Sequence, residues 1–326
     1  MENKTPYLKI HHELECSFIN FFESNGYQRL APVPISSHVD RSVYLINSAT
    51  NLFKPYFSSN HCVFAIQHCM RTQTLSDYYN EERESQYPTT FDSYGAFVPA
   101  SLLCKILKDT IELFSSIGFE FSKMRMRISC NDIALLSAVS QSLPSIRVEL
   151  DERSEKYDHK YGDGITGRAI KLDYYQEWQK KHKNLCYFIL IYLGSSPVGV
   201  ELATSDQLII MRSQNKKYGI SVSKIADILP MSVFGERRFA DSVVGAAHLL
   251  YEGLKPNSST TNGRTLKKYI AALQYFSKLL GRSENEVISI VLKYITMEYG
   301  EVPEYKKLYI SELLAKWIVS AQCQCG

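Results

Sequence analysis

The residue types that bind metals or carry out redox chemistry are scattered in this sequence. Cys323 and Cys325 could together bind a metal ion or be redox-active, but no other cysteine or histidine lies at ligand spacing from them, which favours a solvent-exposed chain end. His11 and His12 fall at the start of a helical segment, where they are more typical of surface or cap residues than of a zinc site. The sequence therefore predicts no metal site.

Arg71 introduces a long polar segment, residues 73–86, between two apolar segments. A planar guanidinium can hold a phosphate group through two parallel hydrogen bonds. From the residues alone, the simpler interpretation is a surface arginine that pairs with Glu81 or Glu82. Arg71 by itself therefore leaves both alternatives open.

The composition is that of a globular chain with a sizeable core. The chain has 326 residues, of which 45% are apolar, and a formal net charge of +3. These values predict one large or two medium domains and exclude collagen, coiled-coil and disordered classes. The longest apolar stretch, residues 185–193, is too short to cross a bilayer, and the N-terminus lacks the apolar region of a signal peptide. We expect a cytoplasmic protein with no membrane partner.

The order of predicted elements divides the chain into a mixed part and a helical part. Apolar periodicity predicts strands and helices up to about residue 215 and only helices after it. A glycine-rich turn is predicted at residues 161–167. This order is typical of an α+β fold followed by an all-α domain. The predicted strands are 43–46, 62–66, 91–97, 124–129, 185–193 and 199–202, and the predicted helices are 11–25, 100–117, 133–143, 206–214, 221–228, 238–252, 264–280, 284–299 and 304–321.

Several collinear segments carry motifs of one known family, and together they cover most of the chain. On these segments the chain resembles alanyl-tRNA synthetase, a class II aminoacyl-tRNA synthetase, as a truncated and divergent paralogue. The matching segments are Phe18–Gly26 (family F-x-x-F-F-x-x-x-G), Asn47–Lys54 (N-A-G-M-N-Q-F-K), Gln67–Arg71 with Thr90–Phe97 (Q-R-C-x-R, then T-F-F-E-x-x-G-x-F), and Phe239–Gly253 with Asn262–Gly281 (the helical tRNA-recognition domain).

The resemblance implies a class II synthetase-like antiparallel sheet with flanking helices, followed by an all-α domain. Residues 1–215 would form the catalytic core, and residues 216–326 a truncated tRNA-recognition-like domain without an editing domain. The implied activity is a ligase that activates alanine or a similar small amino acid with ATP and Mg²⁺. The aminoacyl group would pass to a tRNA acceptor stem or to another acceptor, such as a carrier protein or a small molecule. The family also suggests a possible homodimer.

The same resemblance assigns roles to residues of the core. Arg71 would bind the α-phosphate of ATP, and Phe91 would stack on the adenine unless it is only a core aromatic. Asp92 takes the position of the acidic residue that closes the motif, with an edge-strand carboxylate as the alternative. Glu201 replaces the aspartate that binds the amino group of the substrate. Tyr187, in the predicted strand 185–193, is assigned with Glu201 to the amino-acid site.

The resemblance also implies an RNA-binding helix in the second part of the chain. Arg264, Lys267 and Lys268 lie on a predicted amphipathic helix, whose basic face suits the phosphate backbone of tRNA. The alternative is a solvated face of a bundle helix. A net charge of +3 adds little long-range attraction for RNA.

Departures from the family's motifs support a second function. Leu208 occupies the position of an ATP-binding arginine, and Leu75 and Ser76 replace two further cations, which leaves Arg71 as the one cation of that set. Arg168 could supply a compensating charge or be a surface arginine. The alternative function is therefore a degenerate paralogue that binds aminoacyl-tRNA or an amino acid without ATP-dependent activation. If the match to the family's fold is right, Leu208→Arg is expected to raise ATP affinity.

Overall fold

The computed structural model describes residues 6–162 and 164–320, and within them one mixed sheet is followed by a set of helices. Cys323 and Cys325 lie outside the described residues. Within the described residues, none of the helices is both long and apolar enough to cross a membrane. The strands are β1 (Gln28–Arg29), β2 (Val63–Met70), β3 (Thr90–Pro99), β4 (Met124–Ser129), β5 (Arg147–Asp151), β6 (Asp158–Gly162), β7 (Ile165–Gln176), β8 (Lys181–Leu193) and β9 (Ser196–Ser205).

The strand order is β1-β2-β3-β9-β8-β7-β4-β5, with β6 paired to β7. The central pairs are antiparallel, as predicted, whereas the two edge pairs, β1 with β2 and β4 with β5, are parallel. The predicted α+β fold with flanking helices and a helical second part is thus confirmed. The helices are α1 (Tyr7–Ser24), α2 (Thr50–Phe53), α3 (Leu103–Ser116), α4 (Ile133–Ser142), α5 (Asp206–Ser213), α6 (Phe234–Tyr251), α7 (Thr261–Leu279), α8 (Glu284–Tyr299) and α9 (Glu304–Ser320).

The two faces of the sheet differ because side chains alternate along each strand. On one face, apolar side chains such as Tyr94, Met126 and Leu202 form a core with α1, α3, α4 and α5. The other face, which we call the site face, carries Phe91, Tyr187 and Glu201. The site face packs against a smaller apolar cluster that includes Phe53, Phe57 and Ile189, and Glu201 is buried on the same face.

Two predicted elements are wrong. Residues 43–46 form bends and irregular structure instead of a strand, because the Asp40 carboxylate accepts a hydrogen bond from the Ser42 backbone (2.9 Å) and turns the chain just before them. Residues 221–228 form short 3₁₀ segments, Gly219–Val222 and Lys224–Asp227, rather than a helix. The long strand β7 was not predicted, since its first residues belong to the glycine-rich segment.

The helices α6 to α9 share their apolar core with residues from the first part of the chain. Leu45, Met70 and Tyr78 belong to this core. The Tyr78 hydroxyl also donates a hydrogen bond to Asp241 of α6 (3.0 Å). The polar segment after Arg71 is therefore packed against the helices. The domain boundary at residue 215 stays a prediction.

Leu208 lies in the core formed with α1, α3 and α4, where it is 8% exposed. We therefore expect Leu208→Arg to lower the free energy of unfolding by about 3 to 5 kcal/mol, because it buries an unpaired charge. Leu208→Met keeps the volume, so its cost is expected to stay below about 1.5 kcal/mol. Urea unfolding of the two variants measures the difference. A Leu208→Arg protein as stable as the wild type would contradict this prediction, and raised ATP affinity in that variant would favour the expectation drawn from the motif.

Candidate active site

The sheet register places three of the predicted site residues on the site face. Glu201 of β9 lies opposite Phe97 of β3, and Tyr187 of β8 lies opposite Ala203 of β9. Phe91 has the same side-chain direction as Phe97, six residues along the strand. These residues therefore share one face, with Phe91 towards one end and Glu201 towards the other. At about 3.4 Å per residue, the two ends are roughly 20 Å apart along β3.

Arg71 packs on Phe91 and does not pair with the acidic segment. The guanidinium carbon of Arg71 lies 3.8 Å from the centroid of the Phe91 ring and 5.7 Å from that of Tyr87. The Arg71 backbone N–H donates to the Thr89 carbonyl (2.6 Å), which extends the pairing of β2 with β3. Burial lowers the pKa of Arg71. Among the described residues Arg71 forms no ion pair, so its pairing with Glu81 or Glu82, the simpler interpretation, is not formed.

Asp92 points to the opposite face of the sheet from Phe91, because the two are consecutive residues of one strand. Its carboxylate forms a short contact with Nδ1 of His68 and lies 3.7 Å from the Lys224 ammonium. Lys224 also contacts Glu298 of α8 at 2.7 Å. The structure therefore brings Arg71 and Phe91 together and places Asp92 in a separate ionic cluster, formed by His68, Asp92, Lys224 and Glu298.

The ionic cluster has strongly shifted pKa values. Burial lowers the pKa of His68, but the carboxylates of Asp92 and Glu298 outweigh it and raise the pKa to about 9. For Asp92, burial raises the pKa, but the His68 and Lys224 cations hold it well below the usual range. His68 is therefore a cation at neutral pH. The cluster joins two strands to α8 through paired charges.

The cluster also contains possible metal ligands, although the sequence predicts no metal site. One ligand atom each from His68, Asp92 and Glu298 lies within 4.8 Å of the others. The adjoining cavity is only about 10 Å³, near the lower limit for one water molecule. The Lys224 ammonium already lies 2.7 Å from Glu298, and the His68 cation contacts Asp92. These cations already neutralise the two carboxylates.

Glu201 is 1% exposed, and both of its carboxylate oxygens accept hydrogen bonds from hydroxyl groups. One oxygen accepts a short hydrogen bond from Thr50, and the other accepts from Tyr161 at 3.0 Å. Burial raises the pKa of Glu201 to about 7, although these hydroxyls lower it in part. Its neutral and ionised forms are therefore both populated at physiological pH.

A cavity lies next to the hydroxyl-bearing residues that enclose Glu201. It is lined by Ser42, Asn47, Lys54 and Tyr161, among others. The Lys54 ammonium pairs with Asp40 (2.8 Å) and donates to the Tyr161 carbonyl (3.0 Å), which fixes the residue that covers Glu201. Tyr161 thus both lines this cavity and donates a hydrogen bond to Glu201.

The site face carries cations that the motifs did not identify. Arg125 and Arg127 of β4 donate to the buried Asp173 carboxylate (2.9 and 3.0 Å). The Lys171 ammonium lies 5.8 Å from the centroid of the Tyr187 ring. The alternation in Met124-Arg-Met-Arg-Ile-Ser129 was a usable signal, because the apolar residues face the core and the arginines face away from it. Lys171 and Asp173 lie on β7, which was not predicted.

Arg168 does not compensate for the missing phosphate-binding cations. Its guanidinium binds the Asp132 carboxylate (2.6 Å) and also contacts Asp158. The charge is therefore already paired, as expected for an arginine with a structural role.

The predicted RNA-binding residues lie on α7. Arg264 and Lys268 are exposed, while the half-buried Lys267 donates to the Ser258 hydroxyl (2.9 Å). The first turns of this helix, through Thr261 and Thr265, also line a groove with Asn47, Met70 and Thr72, beside Arg71.

Aminoacyl-tRNA synthetases are among the known proteins that this chain resembles. No model of a known protein family matches the chain. An alanine–tRNA ligase of Thermoanaerobacter sp. (strain X514) is 32% identical over 90 residues, which are 26% of this chain and 10% of that protein. The chain thus spans about a tenth of the length of the curated relatives it matches.

Two solved structures illustrate the likeness in fold. The histidyl-tRNA synthetase of S. aureus has a TM-score of 0.44 and 15% identity, covering 62% of this chain and 65% of that one. The asparaginyl-tRNA synthetase of Entamoeba histolytica, in complex with asparaginyl-adenylate, has a TM-score of 0.45 and 9% identity, covering 67% and 65%.

The substitution Glu201→Gln tests whether burial raises the pKa of the Glu201 carboxyl in the folded protein. In the unfolded chain this carboxyl ionises near its ordinary pKa of 4.5, and in the folded chain near 7. The folded state therefore stays protonated to a higher pH than the unfolded chain. As the pH rises through that range, the free energy of unfolding of the wild type falls relative to that of Glu201→Gln. The change is roughly 3 kcal/mol between pH 4.5 and 7. Urea unfolding from pH 5 to 8 measures it, with the exposed Glu301→Gln as control. A pH-independent difference would contradict the prediction.

Asp92→Asn tests whether the Asp92 carboxylate serves folding or catalysis. We expect the substitution to lower the free energy of unfolding by about 3 to 5 kcal/mol, because it leaves buried cations without their partner. Ligand binding by the protein that remains folded should be unchanged, since Asp92 faces away from Phe91. Stability is measured by urea unfolding and ATP affinity by calorimetry below the unfolding temperature. A stable variant that has lost ATP binding would place Asp92 in the site.

Proposed function

We propose that this protein is a class II aminoacyl-tRNA-synthetase-like ligase that activates alanine or a similar small amino acid with ATP. The product would pass to a tRNA acceptor stem or to another acceptor. The observation that carries the proposal is the placement of the Arg71–Phe91 pair and Glu201 on one face of the sheet, within segments that match the family's motifs.

The reaction is the attack of an amino-acid carboxylate on the α-phosphorus of ATP, with pyrophosphate as the leaving group. Negative charge on the reacting phosphoryl group is stabilised by positioned cations and hydrogen-bond donors. Arg71 supplies a guanidinium beside an aromatic ring that can stack on a base. Because Arg71 covers one face of Phe91, an adenine must use the remaining face or displace the guanidinium.

Glu201 would bind the ammonium group of the amino acid. An ammonium favours the ionised carboxylate, so binding below pH 7 should release a proton from Glu201. The buried position of the residue requires Tyr161 to move before the two charges meet. Its confined surroundings favour a small amino acid.

The described residues do not fit a magnesium ion held by the protein. Mg²⁺ prefers carboxylate and water oxygens, but Asp173 is already paired with two arginines, and Glu201 is enclosed by hydroxyl groups. Any Mg²⁺ would therefore arrive on the ATP phosphates, and no step of the proposal depends on its binding to the chain.

A second candidate function is a protein that binds aminoacyl-tRNA or an amino acid without activating it. Two observations favour it. Leu208 is buried in the core, and Asp92 faces away from Phe91. The basic helix α7 and the groove at its N-terminal end are compatible with RNA binding in either function. A homodimer also stays a proposal.

The ligase proposal is tested by ATP–pyrophosphate exchange in the presence of each of the twenty amino acids. We expect exchange with alanine or a similar small amino acid, and a loss of roughly 100- to 1000-fold in Arg71→Ala. The control Arg29→Ala removes an exposed arginine of β1 that pairs with Glu15, and it should leave exchange unchanged. No exchange with any amino acid, together with tRNA binding in a gel-shift assay, would reject the ligase and support the binding protein.

A further inference from the structure

The small cavity beside the ionic cluster has walls that carry several charges. Asp92, Lys224 and Glu298 of the cluster line it, and so do Asp206 and Gln207. Its volume of about 10 Å³ holds one water molecule or one metal ion and is too small for an organic ligand. The cavity therefore restricts its occupant to a single small ion or a water molecule.

Gln207 brings to this cavity a buried oxygen that has no partner. The residue is 6% exposed, and its Nε2 atom donates to the Thr90 carbonyl at 3.2 Å, which fixes the orientation of the amide. Its Oε1 atom has no hydrogen-bond partner among the described residues. Buried polar atoms are nearly always hydrogen-bonded, and an amide oxygen can only accept. The missing partner is therefore a donor, such as a water molecule held in the cavity.

The cluster also offers the ligand types that a transition metal prefers. One ligand atom each from His68, Asp92 and Glu298 lies within 4.8 Å of the others. The Nε2 atom of His68 lies 3.8 Å from Oε1 of Glu298, a gap that two bonds of about 2.0 to 2.2 Å to one zinc ion can span. A mixed set of imidazole and carboxylate ligands suits Zn²⁺, whereas Mg²⁺ and Ca²⁺ prefer a larger set of oxygen ligands.

Protons supply part of the positive charge around the cavity. The two carboxylates of the ionic cluster and that of Asp206 line it. Lys224 provides one positive charge, and the imidazolium forms of His68 and His11 provide two more, His11 at 2.9 Å from Asp206. Because a metal ion binds the deprotonated ligand, one divalent ion can replace two such protons and leave the net charge of the cavity unchanged.

We propose that His68, Asp92 and Glu298 bind a Zn²⁺ ion, with a water molecule as the fourth ligand. One nitrogen of His68 releases its proton to solvent and donates its lone pair to the ion. The water on the ion is the donor that Gln207 lacks, and the Lys224 ammonium, 2.7 Å from Glu298, is the competing cation.

The zinc site has a structural role, because its ligands join β2 and β3 to α8. The three residues lie on elements far apart in the chain, so no spacing pattern marks the site in the sequence. The proposal does not rest on the ligase function.

The test uses the full chain, dialysed against a chelator, with Zn²⁺ and with Co²⁺ as its spectroscopic probe. We expect Zn²⁺ to raise the melting temperature of the wild type, and Co²⁺ to give the visible absorption of a four-coordinate site without a thiolate charge-transfer band. Glu298→Gln should bind Zn²⁺ roughly 100-fold more weakly by calorimetry, because a ligand is lost. The control His12→Gln removes an exposed histidine beside Cys16 and should bind as the wild type does.

The variant Lys224→Met removes the competing cation and gives a change of the opposite sign. Without metal it should melt below the wild type, because buried carboxylates lose a partner. It should bind Zn²⁺ roughly 10-fold more tightly than the wild type, since a like charge next to the ion is gone, and the ion should restore its melting temperature. The double variant Lys224→Met, Glu298→Gln should show no such recovery. This pair decides the matter if Glu298→Gln alone does not fold.

Three results would overturn the zinc site. The first is equal Zn²⁺ affinity in the wild type and Glu298→Gln. The second is a Co²⁺ spectrum with a thiolate band alone, which places the ion on cysteines. The third is a wild type and a Lys224→Met variant that both fail to bind, which leaves the cavity to a water molecule only. Binding of Zn²⁺ that depends on Glu298, in a protein without amino-acid-dependent exchange, would confirm the zinc site while the ligase fails.

Discussion

The contact of the Asp92 carboxylate with His68 and Lys224 is the interaction on which the arrangement of this protein depends. It joins β2 and β3 to the segment before α6, and through Lys224 to Glu298 of α8. A buried charge without its partner costs several kcal/mol, so these segments are held in one geometry. Phe91 is the next residue of the same strand and faces the other way. The ionic cluster on one face therefore fixes the aromatic platform on the other.

The alternation of side chains explains how much of the site was predictable. Phe91, Tyr187 and Glu201 were assigned from motifs, and strand periodicity is sufficient to place them on one face once the strands pair. The same periodicity predicts that the side chains of Phe91 and Asp92 lie on opposite faces of the sheet, so the two cannot contact one ligand on the same face. That conclusion was available from the sequence, because both residues lie in a predicted strand. The resemblance had grouped them by motif, whereas the backbone separates them.

Other features depend on pairing between distant segments, which no local pattern contains. Glu201 is enclosed by hydroxyls from Thr50 and Tyr161, residues 151 and 40 positions away in the chain. The elevated pKa follows from this enclosure, since burial disfavours the charged form. Similarly, the buried Arg212 donates to the Asn184 carbonyl of β8, 28 positions away in the chain. Its sequence neighbours are apolar core residues, so a surface or a buried position could not be distinguished beforehand.

The distribution of cations changes the interpretation of the altered motifs. Of the cations expected at the family's motif positions, the chain keeps only Arg71, because Leu208, Leu75 and Ser76 replace the others. Counted by location, the site face also has Arg125, Arg127 and Lys171, with Asp173 and Glu149 as their acidic neighbours. An anion responds to the field of all nearby charges and not to their positions in a motif. Arg125 and Arg127 are held by those carboxylates, whereas Arg71 forms no ion pair among the described residues. The loss of motif residues is therefore not equivalent to the loss of all positive charge on the site face.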